Sequence, residues 1–211
     1  MIFKKNVASQ ARKPKGLFGR YLIKMMNKVH AELWKWGLGH VNIKSEYIIL
    51  DVGCGGGVNV HNFAKIATKG KIYGIDYSEL SVKMAKKLNK RFIKEGRVEI
   101  KQASVSSLPF EKNTFDVVTG FETYYFWPDL VNDLKGIRNI LKSEGILVLI
   151  CEEYKSKNEA LRKVSEEHAK MCNIQIHTPE EFRDFFKRAG FSEIEMFEDQ
   201  EHSWITVIGK K

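Results

Sequence analysis

The chain has 211 residues, 43% hydrophobic and 29% charged, with no apolar run long enough to cross a bilayer, so one soluble domain with a substantial core is expected. Cys54, Cys151 and Cys172 form neither an even disulfide set nor a CxxC pair, which points to reducing, cytoplasmic surroundings. The net charge of +9 is uneven, because residues 1–40 carry nine Lys/Arg against Glu32 alone. Such a basic segment attracts phosphate, an anionic membrane or an acidic small substrate, or is simply a solvated face.

The chain begins with a polar, basic arm up to about residue 16, interrupted by Pro14 and Gly16. Phe18, Leu22, Met25, Val29, Leu33 and Trp36 then recur every three or four residues, predicting one amphipathic helix that ends near Gly37 and Gly39. From Tyr47 onward, short apolar runs alternate with helical stretches. Strands are expected at 47–52, 71–76, 98–102, 115–120 and 145–151, with helices at 60–66, 78–95 and 130–141. Continuous apolar strands separated by helices imply a parallel sheet covered on both faces.

The last third departs from that alternation. A helix over 159–171 is followed by Thr178-Pro179-Glu180-Glu181, where Thr178 caps, Pro179 suits the first turn and Glu181 completes a capping box. Gly190 supplies the stop, and strands at 193–197 and 203–209 close into a hairpin. The domain reading is therefore a basic arm and amphipathic helix over 1–40, serving as a lid or cap, and one α/β domain over 41–211.

The strongest chemical signal is the strand Ile48-Ile49-Leu50-Asp51-Val52 running into Gly53-Cys54-Gly55-Gly56-Gly57 before a helix. In a doubly wound sheet this is where ligands bind, and glycine lets backbone approach them closely. Asp76 ends the next strand, where its carboxylate can accept from ribose hydroxyls or cap the following helix. A GxGxxG dinucleotide fingerprint fails, because Val58 stands where the last glycine would fall.

This segment resembles the class I S-adenosylmethionine-dependent methyltransferases. The resemblance implies a Rossmann-like methyltransferase fold: α/β, doubly wound, with a mostly parallel seven-stranded sheet and a C-terminal antiparallel hairpin. It implies S-adenosylmethionine as cofactor and S-adenosylhomocysteine as product. By the same likeness Gly53, Cys54 and Gly55 approach the methionine part, Asp51 orients the loop or the amino group, Asp76 holds the ribose and Tyr77 flanks the adenine. Ser104 and Val105 take the adenine-contact segment, with Ser104 replacing the family's usual aspartate, so a weaker contact is expected there. Phe121 lies beside the cofactor, and the run from Thr123 to Trp127 serves as core or acceptor wall.

Methyl transfer is an in-line displacement, so the protein mainly aligns the reactants and excludes water. Where the acceptor atom carries a proton, Glu122, Tyr124 and His168 are candidate bases, with Glu122 and Tyr124 as the catalytic assignment. His168, Cys172 and His177 match no compact zinc spacing, so no metal is expected. The leading expectation is a small-molecule acceptor. An RNA methyltransferase using the basic arm and a non-catalytic cofactor binder are the alternatives, and the oligomeric state is not written in the sequence. No Asn-Pro-Pro-Tyr type of motif follows the fourth strand, where Phe121-Glu122-Thr123-Tyr124 stands.

Overall fold

Strand β1 (Ile48–Val52) has a continuous apolar run because it lies mid-sheet, with β2 (Lys71–Asp76) on one side and β4 (Phe115–Phe121) on the other. The computed structural model describes residue 10, residues 12–199 and residues 201–211. Most of the expected N-terminal arm, residues 1–9 and 11, lies outside these. The sheet is completed by β3 (Val98–Gln102), β5 (Leu141–Cys151), β6 (Ser192–Asp199) and β7 (Trp204–Lys210) in the order β3-β2-β1-β4-β5-β7-β6. The first five are parallel; β7 runs antiparallel to both β5 and β6. The doubly wound α/β architecture expected from the sequence is therefore present.

Alternate residues of β1 enter two separate cores, Ile49 on one face and Leu50 with Val52 on the other. The Ile49 core takes in Val60 and Phe63 of α3 (Val58–Ile66), Val82 and Ala85 of α4 (Glu79–Leu88), and Leu33. The opposite core takes in Leu134 and Ile137 of α6 (Leu130–Ile140) and Phe182 and Phe186 of α8 (Pro179–Arg188). The short α5 (Lys90–Lys94) follows α4, and α7 (Glu159–Cys172) opens on an acidic residue. The Thr178–Glu181 capping box is formed in both directions.

Three elements differ from expectation. The single N-terminal helix is two, α1 (Gly16–Val29) and α2 (Ala31–Leu38), broken at His30, whose φ of −86° and ψ of 9° leave the helical region. The helix expected over 78–95 divides at fully buried Asn89, whose amide donates to the carbonyls of Gly57 and Ala85. Strand β5 begins at Leu141, earlier than Gly145, because Leu141 pairs with Phe115 across a register shift.

The N-terminal helices are packed onto the sheet rather than held apart from it. Gly37 of α2 sits so close to β5 that a Cβ there would lie 2.6 Å from Ile150. Gly56 in the glycine loop meets α1 in the same way, with Ile23 2.6 Å and Asn27 2.8 Å from the position of a Cβ.

Candidate active site

The site begins where β1 stops. Val52 leads into Gly53, whose φ of +71° turns the chain, and the amides of Gly53 and Cys54 both donate to the Ile75 carbonyl at 2.8 and 2.9 Å. Gly53 cannot be replaced without collision, since a Cβ would lie 2.2 Å from the Thr123 hydroxyl. Gly55 is different: its φ is +51° and a Cβ would meet nothing within 4 Å, so its backbone borders open space.

Asp76, nearly buried at the end of β2, ties this loop to the next helix. Its Oδ2 accepts from the Gly55 amide at 2.9 Å and its Oδ1 from the Ser78 amide at 2.8 Å. Both sequence readings of Asp76 are thus compatible, because each oxygen keeps a lone pair after that bond. Burial raises its pKa, against the lowering by those two amides. Asp51 lies beneath the loop, fully buried, with Oδ1 accepting from the Thr119 hydroxyl at 2.8 Å and Oδ2 without a hydrogen-bond partner. Burial pushes Asp51 up to about 7, and neighbouring Asp76 adds to the rise.

A cavity of about 440 Å³ opens along the carboxyl ends of β2, β1 and β4, a size that suits a small organic ligand. Gly55, Asp76 and Tyr77 line it on the β2 side, and Phe121, Glu122 and Thr123 on the β4 side. With strands about 4.8 Å apart, those two sides are separated by about 10 Å. The inner faces of α1 and α2 form the roof through Ile23, Met26 and Trp34. Residues just before α1 strap over the β2 side: the Tyr77 hydroxyl donates to the Arg12 carbonyl, and Ser78 Oγ to the Pro14 carbonyl.

The β4 side gathers charge. His30, Glu122 and Glu152 bring one ligand atom each within 4.8 Å of one another, a set that could hold a metal ion. Within it His30 Nε2 lies 3.2 Å from Glu152 Oε2, and Glu122 Oε1 accepts from the Glu152 amide and from the Tyr125 hydroxyl. Burial pushes the Glu122 carboxyl up to about 7, with His30 pulling in the opposite direction. His30 is raised because Glu152 and Glu122 outweigh its desolvation. Glu122 also has a φ of +53°, uncommon for a side chain with a Cβ, which turns it out of the strand line. Behind this set stands a second pair, His168 Nδ1 to Glu153 Oε1 at 2.7 Å, with Cys172 Sγ 3.3 Å from His168 Nε2.

Of the residues singled out from sequence, Gly53, Cys54, Gly55, Asp76, Tyr77, Phe121 and Glu122 line this one cavity. Asp51 supports its floor without lining it. Tyr124 is placed elsewhere: its ring packs in the core against Tyr125, His177 and Phe182, while its neighbours Thr123 and Phe126 reach the cavity. Val105 is also core, and exposed Ser104 closes a tight turn in which its hydroxyl accepts from the Ser106 amide. Neither borders the cavity. His177 stands apart from His168, against Phe185 and Glu181. Sequence reasoning missed His30 and Glu152. Glu152 had a signal, two acids immediately after an apolar strand; His30 had none, since its importance comes only from where the helix break places it.

A doubly wound sheet with a glycine turn after β1 and a carboxylate ending β2 defines a Rossmann-like domain for an adenosyl cofactor. Residues 43–190 match the family described as a methyltransferase domain, and the chain belongs to that family, whose methyl donor is S-adenosylmethionine. It is 37% identical over 103 residues to a demethylmenaquinone methyltransferase of Lactococcus lactis, covering 48% of this chain and 40% of that protein. It is 26% identical over 185 residues to a tRNA U34 carboxymethyltransferase of Serratia proteamaculans, covering 86% of this chain and 56% of that protein. The chain thus spans less than two thirds of either relative. A solved S-adenosylmethionine-dependent methyltransferase from Aquifex aeolicus superposes with a TM-score of 0.72 at 20% identity, covering 89% of this chain and 96% of that one, a likeness of fold.

Proposed function

We propose that this chain transfers the methyl group of S-adenosylmethionine to a small-molecule acceptor that enters beside Phe121, Glu122 and His30. The observation that carries the reading is the single cavity joining Gly55 and Asp76 to Glu122 and His30 under one helical roof. The residues suit that cofactor: Gly55 borders open space, and the carboxyl groups of Asp51 and Asp76 stand buried beside the loop. When bound, the cofactor supplies an electrophilic methyl on a cationic sulfur.

The protein's own contribution is position and proton handling. Asp76 accepts from the ribose hydroxyls with its remaining lone pairs, and Phe121, Phe126 and Trp34 keep water from the acceptor side. Glu122, ionised above about pH 7, takes the proton of an amine or hydroxyl acceptor, while Glu152 holds the His30 ring against the Phe121 edge at 5.9 Å. Residues 1–40 act as a lid, a role supported by the fit of Ile23 and Asn27 on Gly56.

Calorimetry with S-adenosylmethionine tests the reading directly. Binding is expected, and Asp76→Ala should weaken it about 10- to 100-fold, the worth of a hydrogen bond to a charged group. No heat at millimolar cofactor would reject the proposal. A second reading, methylation of RNA, is supported by the Serratia relative and the basic residues of 1–40. It requires nucleic-acid affinity that falls steeply with salt.

A further inference from the structure

The outward face of α1 carries a pattern that the cavity does not use. Gly19, Leu22 and Ile23 are buried on its inner side, whereas Leu17, Tyr21, Met25 and Val29 are 84%, 63%, 42% and 62% exposed. Residues four apart line up along a helix, so these four form one continuous row. Arg20, Lys24 and Lys28, also exposed and four apart, form the adjacent row, and residues 16–29 contain no Asp or Glu. Half of the ten exposed large hydrophobic residues among the described residues fall in this one helix, which separates it from the ordinary scatter of apolar residues on a surface. Beside its first turn a groove of about 520 Å³ is lined by Lys13, Lys15, Arg20 and Lys83, with Glu79 the acid among its lining residues.

We propose that α1 docks the domain on an anionic lipid bilayer, with the row from Leu17 to Val29 in the acyl boundary and the basic row and groove on the lipid phosphates. The combination is what an interfacial helix requires, since apolar burial and attraction to anionic headgroups each give only weak, reversible binding alone. An RNA backbone would use the basic row but would leave Leu17, Met25 and Val29 in water, so the aliphatic row favours lipid. The inner side of the same helix, through Leu22, Ile23 and Met26, lines the cavity. Docking therefore sets the cavity roof against the membrane, the position from which a lipid-phase acceptor would arrive. The inference rests on the surface of α1 and not on the methyl-transfer reading.

Cosedimentation of the full chain with vesicles of phosphatidylcholine alone, and of phosphatidylcholine mixed with phosphatidylglycerol, tests it. Binding is expected to the mixed vesicles only. Leu17→Glu with Met25→Glu, and separately Lys24→Glu with Lys28→Glu, should each lower partition by about tenfold or more. Both pairs lie outside the cavity lining, and an unchanged thermal melt serves as the check of folding; Leu17→Ser with Met25→Ser replaces the first pair if that check fails. Failure to sediment with the mixed vesicles overturns the proposal. So does binding that the apolar variants leave intact, which would be charge attraction alone, and so does a bulk-tRNA mobility shift that depends on Lys24 and Lys28 while vesicles are ignored.

Discussion

The two sides of the cavity are assembled differently. On the β2 side the groups lie within one strand–helix–strand unit, Asp51 to Tyr77, and hold the loop largely through backbone amides donating to Ile75 and Asp76. On the β4 side His30, Glu122 and Glu152 come from a helix break, a strand end and a second strand end, joined by charged side chains. A backbone-built site tolerates little change in sequence because its geometry is the fold itself. A side-chain-built site changes its chemistry with single substitutions while the fold stands, which is what the acceptor end proposed above requires.

The sharpest way to break this contrast is at the glycines. Gly53→Ala combines a left-handed backbone with a Cβ 2.2 Å from the Thr123 hydroxyl, so it should cost about 2–5 kcal/mol from strain and overpacking together. Loss of folding, or cofactor affinity reduced about 100-fold or more, is the expected outcome by thermal melt and calorimetry. Gly55→Ala shares the strain but puts its Cβ into open space, so it should lose cofactor affinity with a smaller change in melting. Equal melting and binding losses in the two variants would mean that the loop is not anchored as described.

On the β4 side, Glu122→Gln keeps shape and removes charge. Turnover should fall about 100-fold, the usual worth of a positioned base, while cofactor affinity stays within about threefold. In the wild type, kcat/KM should rise with pH through about 7 as Glu122 ionises, and the variant should lose that limb. A variant with full turnover and an unchanged pH profile would remove Glu122 from proton transfer.

Asp51 tests the floor shared by the loop and β4. Its native value of about 7 stands above the unfolded range, about 3.9, so the folded state holds a proton that the unfolded chain has released between those values. Its stabilisation is present at low pH and lost as pH rises toward 7, and above 7 the cofactor-free protein carries an unrelieved buried charge. Asp51→Asn should therefore raise stability at pH 8 by about 1–3 kcal/mol in denaturant melts and flatten the pH dependence. A destabilised Asn variant at that pH would show that the carboxylate is satisfied by the protein alone.

The legibility of the two sides follows from the same difference. The runs Lys71–Asp76 and Val98–Gln102 match their strands end to end, and the Thr178 box and glycine turn were readable because their causes are local: burial on both faces, φ, and caps within four residues. The break at His30 was hidden because the apolar period continues across it from Leu22 to Leu33. At the break His30 meets Glu152, far away in sequence. The early start of β5 was hidden too, since Leu141 becomes strand only by pairing with Phe115.

Position in the chain misled most at Tyr124, and it yields the smallest effect. Following Glu122 at a strand end, it has the address of a base. The short 3-10 turn from Tyr124 to Phe126, however, rotates alternate aromatics to different sides, sending Phe126 to the cavity and Tyr124 among Tyr125, His177 and Phe182. Burial also drives its hydroxyl well above the ordinary tyrosine range, so it cannot release a proton near neutrality. Tyr124→Phe keeps the packed ring and should change turnover and cofactor affinity by less than about threefold, whereas Tyr124→Ala should cost about 3–5 kcal/mol of stability through the cavity it leaves. If the Phe variant instead lost turnover as deeply as Glu122→Gln, the acceptor would have to reach past Phe126 into the core, and the β4 side would extend deeper than the cavity does.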